Sequence, residues 1–136
     1  MYPTQEVLEI AAKARRGAEV YAVKHGYSNT LACLCDSASV ALAIMLRRAG
    51  FRCVVVGNDY HAFVRFGSYW IIDITSTQFG SINKIDISPV SSPTREGYHK
   101  IKPDYKPQYE WYTSLCRNTR KQTIRAILEL SRGTQP

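Results

Sequence analysis

Nothing in this sequence is long and apolar. Its hydrophobic runs fall far short of the roughly 20 residues needed to cross a bilayer as a helix, so no membrane span is expected. The opening residues, Met1 to Glu6, lack the basic and then apolar pattern of a secretion leader. There is no internal repeat and no low-complexity tract. Acidic side chains are in deficit, 11 against 18 basic ones, for a formal net charge of +7. The four cysteines, Cys33, Cys35, Cys53 and Cys116, include no Cys-x2-Cys pair. With no leader, a reducing, cytoplasmic compartment is the expectation, and the cysteines read as thiols used for packing or chemistry.

What is present fits one domain over residues 1–136, with 45% hydrophobic and 21% charged residues. Residues 4–24 predict a helix, because Val7, Ile10, Ala11, Ala14, Ala18, Tyr21 and Ala22 recur at three- and four-residue steps, with Thr4 as cap. A second helix should open at Cys35. Ala38, Ala41, Leu42, Met45, Leu46 and Ala49 form its stripe, and Val40 and Ile44 make it apolar on most faces, hence buried. Arg47 and Arg48 complement its C-terminal dipole, and Gly50 stops it. Residues 51–56, 61–66 and 69–75 read as strands of an antiparallel meander. Four prolines between 81 and 107 argue for loops, with one short strand near 98–102. Residues 108–132 read as a basic helical segment with Ile124, Ile127, Leu128 and Ser131 facing inward. The order of helices, strands and helix gives an α+β class, with a core over residues 28–80.

Three residues stand out chemically. Cys35 opens a buried helix, where unpaired backbone N–H groups favour thiolate over thiol and can hold an oxyanion. Asp73 interrupts the apolar run Trp70-Ile71-Ile72-Asp73-Ile74, and a carboxylate in a buried strand requires a partner. His61, on the neighbouring strand, is its natural partner, an arrangement that fixes an imidazole tautomer beside a nucleophile. Twelve residues separate the pair, so they share a sheet face only if the hairpin loop is odd in length. A two-residue turn at Gly67-Ser68 would put them on opposite faces. A three-residue loop over 66–68 would seat His61 opposite Asp73, and a bulge is the other solution.

Three segments also resemble, in order and spacing, the core of transglutaminase-like and papain-like cysteine enzymes. Cys35 opens a helix that ends in Leu46-Arg47-Arg48-Ala49-Gly50. His61-Ala62-Phe63-Val64 is similar to the family's His-Ala-Trp-Val strand. Trp70-Ile71-Ile72-Asp73-Ile74-Thr75 is similar to its Trp-x-x-Asp-x-Thr strand, and Gln78-Phe79 recurs in bacterial relatives and papain-fold toxin domains. The likeness covers residues 35–79, about one third of the chain. It implies Cys35 as nucleophile, His61 as base and then acid, and Asp73 as orienting group, on a nucleophile helix packed against a small antiparallel sheet. It also suggests Asn29, six residues before Cys35, as an oxyanion-hole amide, although Asn29 equally suits a Ser28-Asn29 turn. Tyr60 and Gln78 flank the proposed groups as substrate-binding candidates; Trp70 fits the core better. Two departures are visible. The lead-in Leu31-Ala32-Cys33-Leu34 lacks the glycine common before the cysteine, and Phe63 replaces tryptophan. Cys33 is out of register with the helix, which favours Cys35.

The expected chemistry is hydrolysis of an amide by a protease, amidase or glutamine deamidase, on a protein or peptide substrate that the basic balance suggests is acidic. Amine capture would instead make it a transglutaminase. No cofactor and no metal are invoked: a zinc site from Cys33, Cys35, Cys53 and His61 has the wrong spacing. The alternative is a catalytically inactive relative that binds protein or nucleic acid through its basic C-terminal segment. There Arg117, Arg120, Lys121 and Arg125 would meet phosphates, and Tyr105, Tyr109, Trp111 and Tyr112 would stack on bases. His25 and His99 read as surface residues.

Overall fold

The computed structural model describes residues 3–57, 61–80, 82–90, 106–107 and 118–133. Helix α1 spans Gln5–His25 and α2 spans Cys35–Arg48. Strands β1 (Cys53–Gly57), β2 (Ala62–Phe66) and β3 (Trp70–Asp73) follow, then a 3-10 turn at Ser76–Phe79 and β4 (Asp86–Pro89). A two-residue β5 (Lys106–Pro107) and helix α3 (Asn118–Arg132) complete the described elements. The chain is α+β: the sheet runs β4-β3-β2-β1-β5 with every pairing antiparallel.

Each helix forms where its apolar spacing meets the core. In α1 the buried positions Val7, Ala11, Ala14, Ala18 and Ala22 lie on one stripe, and Thr4 Oγ1 accepts from the Val7 N–H at 3.5 Å. Helix α2 buries residues 36–43 without a break, which places it as the central rod. It packs on β1 and β2, while α1 and α3 pack on α2 and on each other. Gly17 lets α1 and α3 approach closely. A Cβ there would collide with Ser131 Oγ and stand 2.7 Å from Ser131 N and 2.8 Å from the Ile127 carbonyl. Ile124, Ile127 and Ser131 of α3 are buried as expected, Leu128 is half-buried, and Lys121 and Arg125 are exposed.

Besides the shifted start of β1 and the two-residue β5, the sheet differs from the sequence reading in three places. Strand β3 ends at Asp73 rather than continuing to residue 75. The Asp73 carboxylate accepts from the backbone N–H and the hydroxyl of Thr75, at 2.7 and 3.1 Å, and this local turn draws the chain off the ladder. Strand β4 lies in a region read as loop. Its alternation Ile85-Asp86-Ile87-Ser88 was masked by Pro89, which an edge strand accepts at its end. The hairpin loop between β2 and β3 is odd, as the site requires, but it is Gly67-Ser68-Tyr69, between the paired residues Phe66 and Trp70. The short strand expected at 98–102, the helical stretch 108–117, and Cys116 and His99 lie outside the described residues.

Candidate active site

The hairpin register fixes how His61 and Asp73 meet. Val64 pairs with Ile72 and Arg65 with Ile71, so the position across from Asp73 belongs to Phe63. His61 is therefore diagonal to Asp73 on the same face, two residues from the expected opposition. Diagonal neighbours are still within reach of long side chains. The contact closes: His61 Nε2 and Asp73 Oδ2 are 2.6 Å apart, with both side chains fully buried. The remaining oxygen, Oδ1, takes the two bonds from Thr75. Asp73 is thus satisfied on both oxygens, as a buried carboxylate requires.

Cys35 reaches this pair from the other layer. It is the first residue of α2, half-buried, and its thiol lies in hydrogen-bonding reach of the imidazole. Nε2 is engaged by Asp73, so Nδ1 is the ring nitrogen that can serve Cys35. Helix α2 is seated against β2 beside His61 by Ser39, whose hydroxyl donates to the Ala62 carbonyl at 3.1 Å. The N-cap of α2 is Leu34, which supplies no side-chain hydrogen bond to the helix start. The Ser37 N–H is taken by Asp36 Oδ1 at 2.7 Å. The Asp36 carboxylate offsets part of the helix's N-terminal charge, and the N–H groups of Cys35 and Asp36 are those of the first turn that lie nearest the sulfur.

The electrostatics of His61 follow from this enclosure. Burial opposes the charged ring, but the Coulombic pull and hydrogen bond of Asp73, and then those of Cys35, outweigh it and push the imidazole up to about 9. The charged form is thereby favoured at neutral pH.

Gln78, from the 3-10 turn, sits on the Nδ1 side of the ring. Its Nε2 lies 3.4 Å from Nδ1 and donates to Thr75 Oγ1 at 3.2 Å. Asn29 is exposed, and it is its backbone carbonyl that is engaged, accepting from Arg15 at 3.0 Å. Trp70 is half-buried and packs against the core. Tyr60 lies outside the described residues. Cys33 is exposed, and Cys53 is buried with its thiol directed at the Ala43 carbonyl. All three described cysteines are free. His25 is exposed and stacks on Tyr21 at a centroid distance of 4.2 Å.

Sequence reasoning missed Arg15. It belongs to α1 and is 4% exposed, yet it reads as half of an ordinary Arg15–Glu19 surface pair four residues apart. Its long-range bonds, to residues 59 and 62 positions away, carry no local signal. Two open grooves, of about 710 and 400 Å³, lie past the opposite end of α2 and share Gly50, Phe51, Arg52, Gly67 and Ser68. No group of three or more His, Cys, Asp or Glu able to hold a metal occurs among the described residues. None of the described helices is long and apolar enough to cross a membrane.

The chain matches no protein-family model, no curated protein and no solved structure.

Proposed function

We propose that the chain is a cysteine-dependent acyl-transfer enzyme of the transglutaminase-like or papain-like type, which hydrolyses an amide through Cys35, His61 and Asp73. The observation that carries this reading is the buried His61, bonded to Asp73 at 2.6 Å through Nε2 and within reach of Cys35 at the start of α2. A histidine kept only for packing has no need of a carboxylate on one side and a half-exposed thiol on the other.

In this reading the Cys35 sulfur attacks the amide carbon, and the carbonyl oxygen gathers negative charge at the N–H groups opening α2, with Asn29 as the candidate second donor. His61 delivers its proton to the departing amine as the C–N bond breaks. Water, deprotonated by His61, then cleaves the thioester, releasing the acid and restoring the thiol. Asp73 holds the ring throughout and stabilises its charge whenever the ring carries the proton. Gln78 and Tyr60 are the candidate substrate contacts. The substrate is a protein or peptide, and the net charge of +7 favours an acidic one. The competing reading, an inactive fold that binds its partner through the basic C-terminal segment, draws on the exposed Lys121 and Arg125 of α3.

The test is iodoacetamide alkylation against pH, with the label located by mass spectrometry. Cys35 should be labelled selectively well below about pH 8, the range of an ordinary thiol, and His61→Ala should lower that rate about 100-fold or more. Slow labelling at low pH that is indifferent to His61→Ala would remove the catalytic reading and favour the binding one.

A further inference from the structure

Arg15 is a buried cation among the small apolar residues that α1 buries, Val7, Gly17 and four alanines. Four of its five N–H donors are used: on Glu19 Oε2 at 3.1 Å, the Ile74 carbonyl at 2.8 Å, Thr77 Oγ1 at 2.9 Å and the Asn29 carbonyl at 3.0 Å. Three of these acceptors come from two loops that are far apart in sequence. Ile74 and Thr77 follow Asp73. Asn29 begins the approach to Cys35. Thr77 then donates to the Thr30 carbonyl at 2.9 Å, closing the two loops and the guanidinium into one hydrogen-bonded ring.

We infer that Arg15 is a positioning residue that sets the placement of Cys35 against the His61–Asp73 pair, an inference that rests on the acyl-transfer reading above. Three features support it. Burying a guanidinium is expensive, and an apolar residue would pack this face of α1 more simply, as Ala14 and Ala18 do. The acceptors are backbone carbonyls and a hydroxyl, so the residue fixes chain positions as well as pairing a charge; only a planar fork reaches several of them together. The ring is also directly connected to the reacting groups. Ile74 adjoins Asp73, Thr75 bonds Asp73 Oδ1, and Gln78 adjoins Thr77 while its amide meets His61 Nδ1.

The approach to Cys35 needs such a hold. Leu31 and Cys33 both sit in the left-handed region, at φ 66° and 71°, a conformation that side chains other than glycine disfavour. Local bonds from Thr30 N and Leu31 N to Ser28 and from Leu34 N to the Leu31 carbonyl shape its turns. Its tether at Asn29 and Thr30 comes from Arg15 and Thr77.

The readout is the rate of Cys35 alkylation at about pH 6 divided by that at about pH 9.5, where thiols react without help from an imidazole. Arg15→Lys keeps the charge and loses the fork. It should lower this ratio about 10-fold or more, because displacing the thiol from the imidazole weakens only the low-pH reaction. Thr77→Val removes the hydroxyl shared by Arg15 and Thr30, and should lower the ratio about 3- to 10-fold in a chain whose core is untouched. Glu19→Gln, which alters the carboxylate partner and leaves the three loop acceptors, should hold the ratio within about 2-fold. A merely structural Arg15 would lower the melting temperature and leave the ratio of the folded protein unchanged. If Arg15→Lys does not fold, Thr77→Val decides. Folded variants with the wild-type ratio overturn the inference. Wild-type protein with no His61-dependent labelling at low pH overturns the acyl-transfer reading itself, and this inference with it.

Discussion

Two cysteines bracket α2, and their surroundings differ in instructive ways. Each has a basic side chain nearby. Cys35, at the N-terminal end, faces His61 and is half-exposed. Cys53, the first residue of β1, is buried beneath the C-terminal half of the helix, where Arg47 donates twice to its carbonyl at 2.9 and 2.7 Å. Burial pushes the Cys53 thiol up, against the opposing pull of Arg47, and its hydrogen goes to the Ala43 carbonyl. A neighbouring cation therefore does not by itself make a reactive cysteine. On the acyl-transfer reading, access, and the end of the helix that the sulfur meets, separate the proposed nucleophile Cys35 from the packing residue Cys53.

That contrast can be broken at the Cys35 end. Asp73→Ala removes the carboxylate partner of a buried imidazole and strands the Thr75 donors. It should cost about 3–5 kcal/mol, read as a lower urea midpoint, and any surviving fold should label Cys35 no faster than the exposed thiol Cys33 at neutral pH. A stability within about 0.5 kcal/mol of wild type would mean that the pair is not formed as described.

A pH series sharpens the same comparison. His61 is raised in the fold to about 9 from an ordinary 6.5. Its stabilising contribution is therefore complete below about pH 6.5 and is lost as the pH rises through about 9. Wild type should lose on the order of 3 kcal/mol over that interval relative to His61→Gln, which has no such titration. Parallel stability curves for the two proteins would contradict a charged His61 at neutral pH.

The smallest effect concerns the Cys53 side. Gly17→Ala presses a methyl group into Ser131 and the Ile127 carbonyl of α3, far from either sulfur along the chain, and should cost about 1–3 kcal/mol. Labelling of Cys53 requires the core to open, so its rate should rise about 5- to 100-fold with that loss. Labelling of Cys35 in the same sample should be unaffected. A proportional rise at both would place Cys35 behind the same opening as Cys53.

Much of this site was legible because its members violate local expectations. Asp73 stands out as a charge in an apolar strand, and parity demands either an odd hairpin loop or a bulge. Parity does not distinguish registers that differ by two, and the loop is 67–69 where the sequence suggests 66–68, which turns opposition into a diagonal. The start of α2 at Cys35 followed from its unbroken apolar pattern. The end of β3 did not, because Thr75 is a good strand residue whose backbone Asp73 captures. Arg15 was hidden for another reason: an Arg four residues before a Glu looks like an ordinary helix-surface ion pair, and only the tertiary fold brings residues 29, 74 and 77 around it.

The left-handed residues before Cys35 have a consequence in time and temperature. Leu31 holds its disfavoured backbone while fully buried, so the packing of one side chain offsets local strain of about 1–2 kcal/mol. A segment maintained in that way relaxes before the helices and sheet around it do. On slow heating, the sulfur should drift from the imidazole while the circular dichroism is still native. The working range of the protein would then be set by the loop before α2, and its thermal ceiling by the rest.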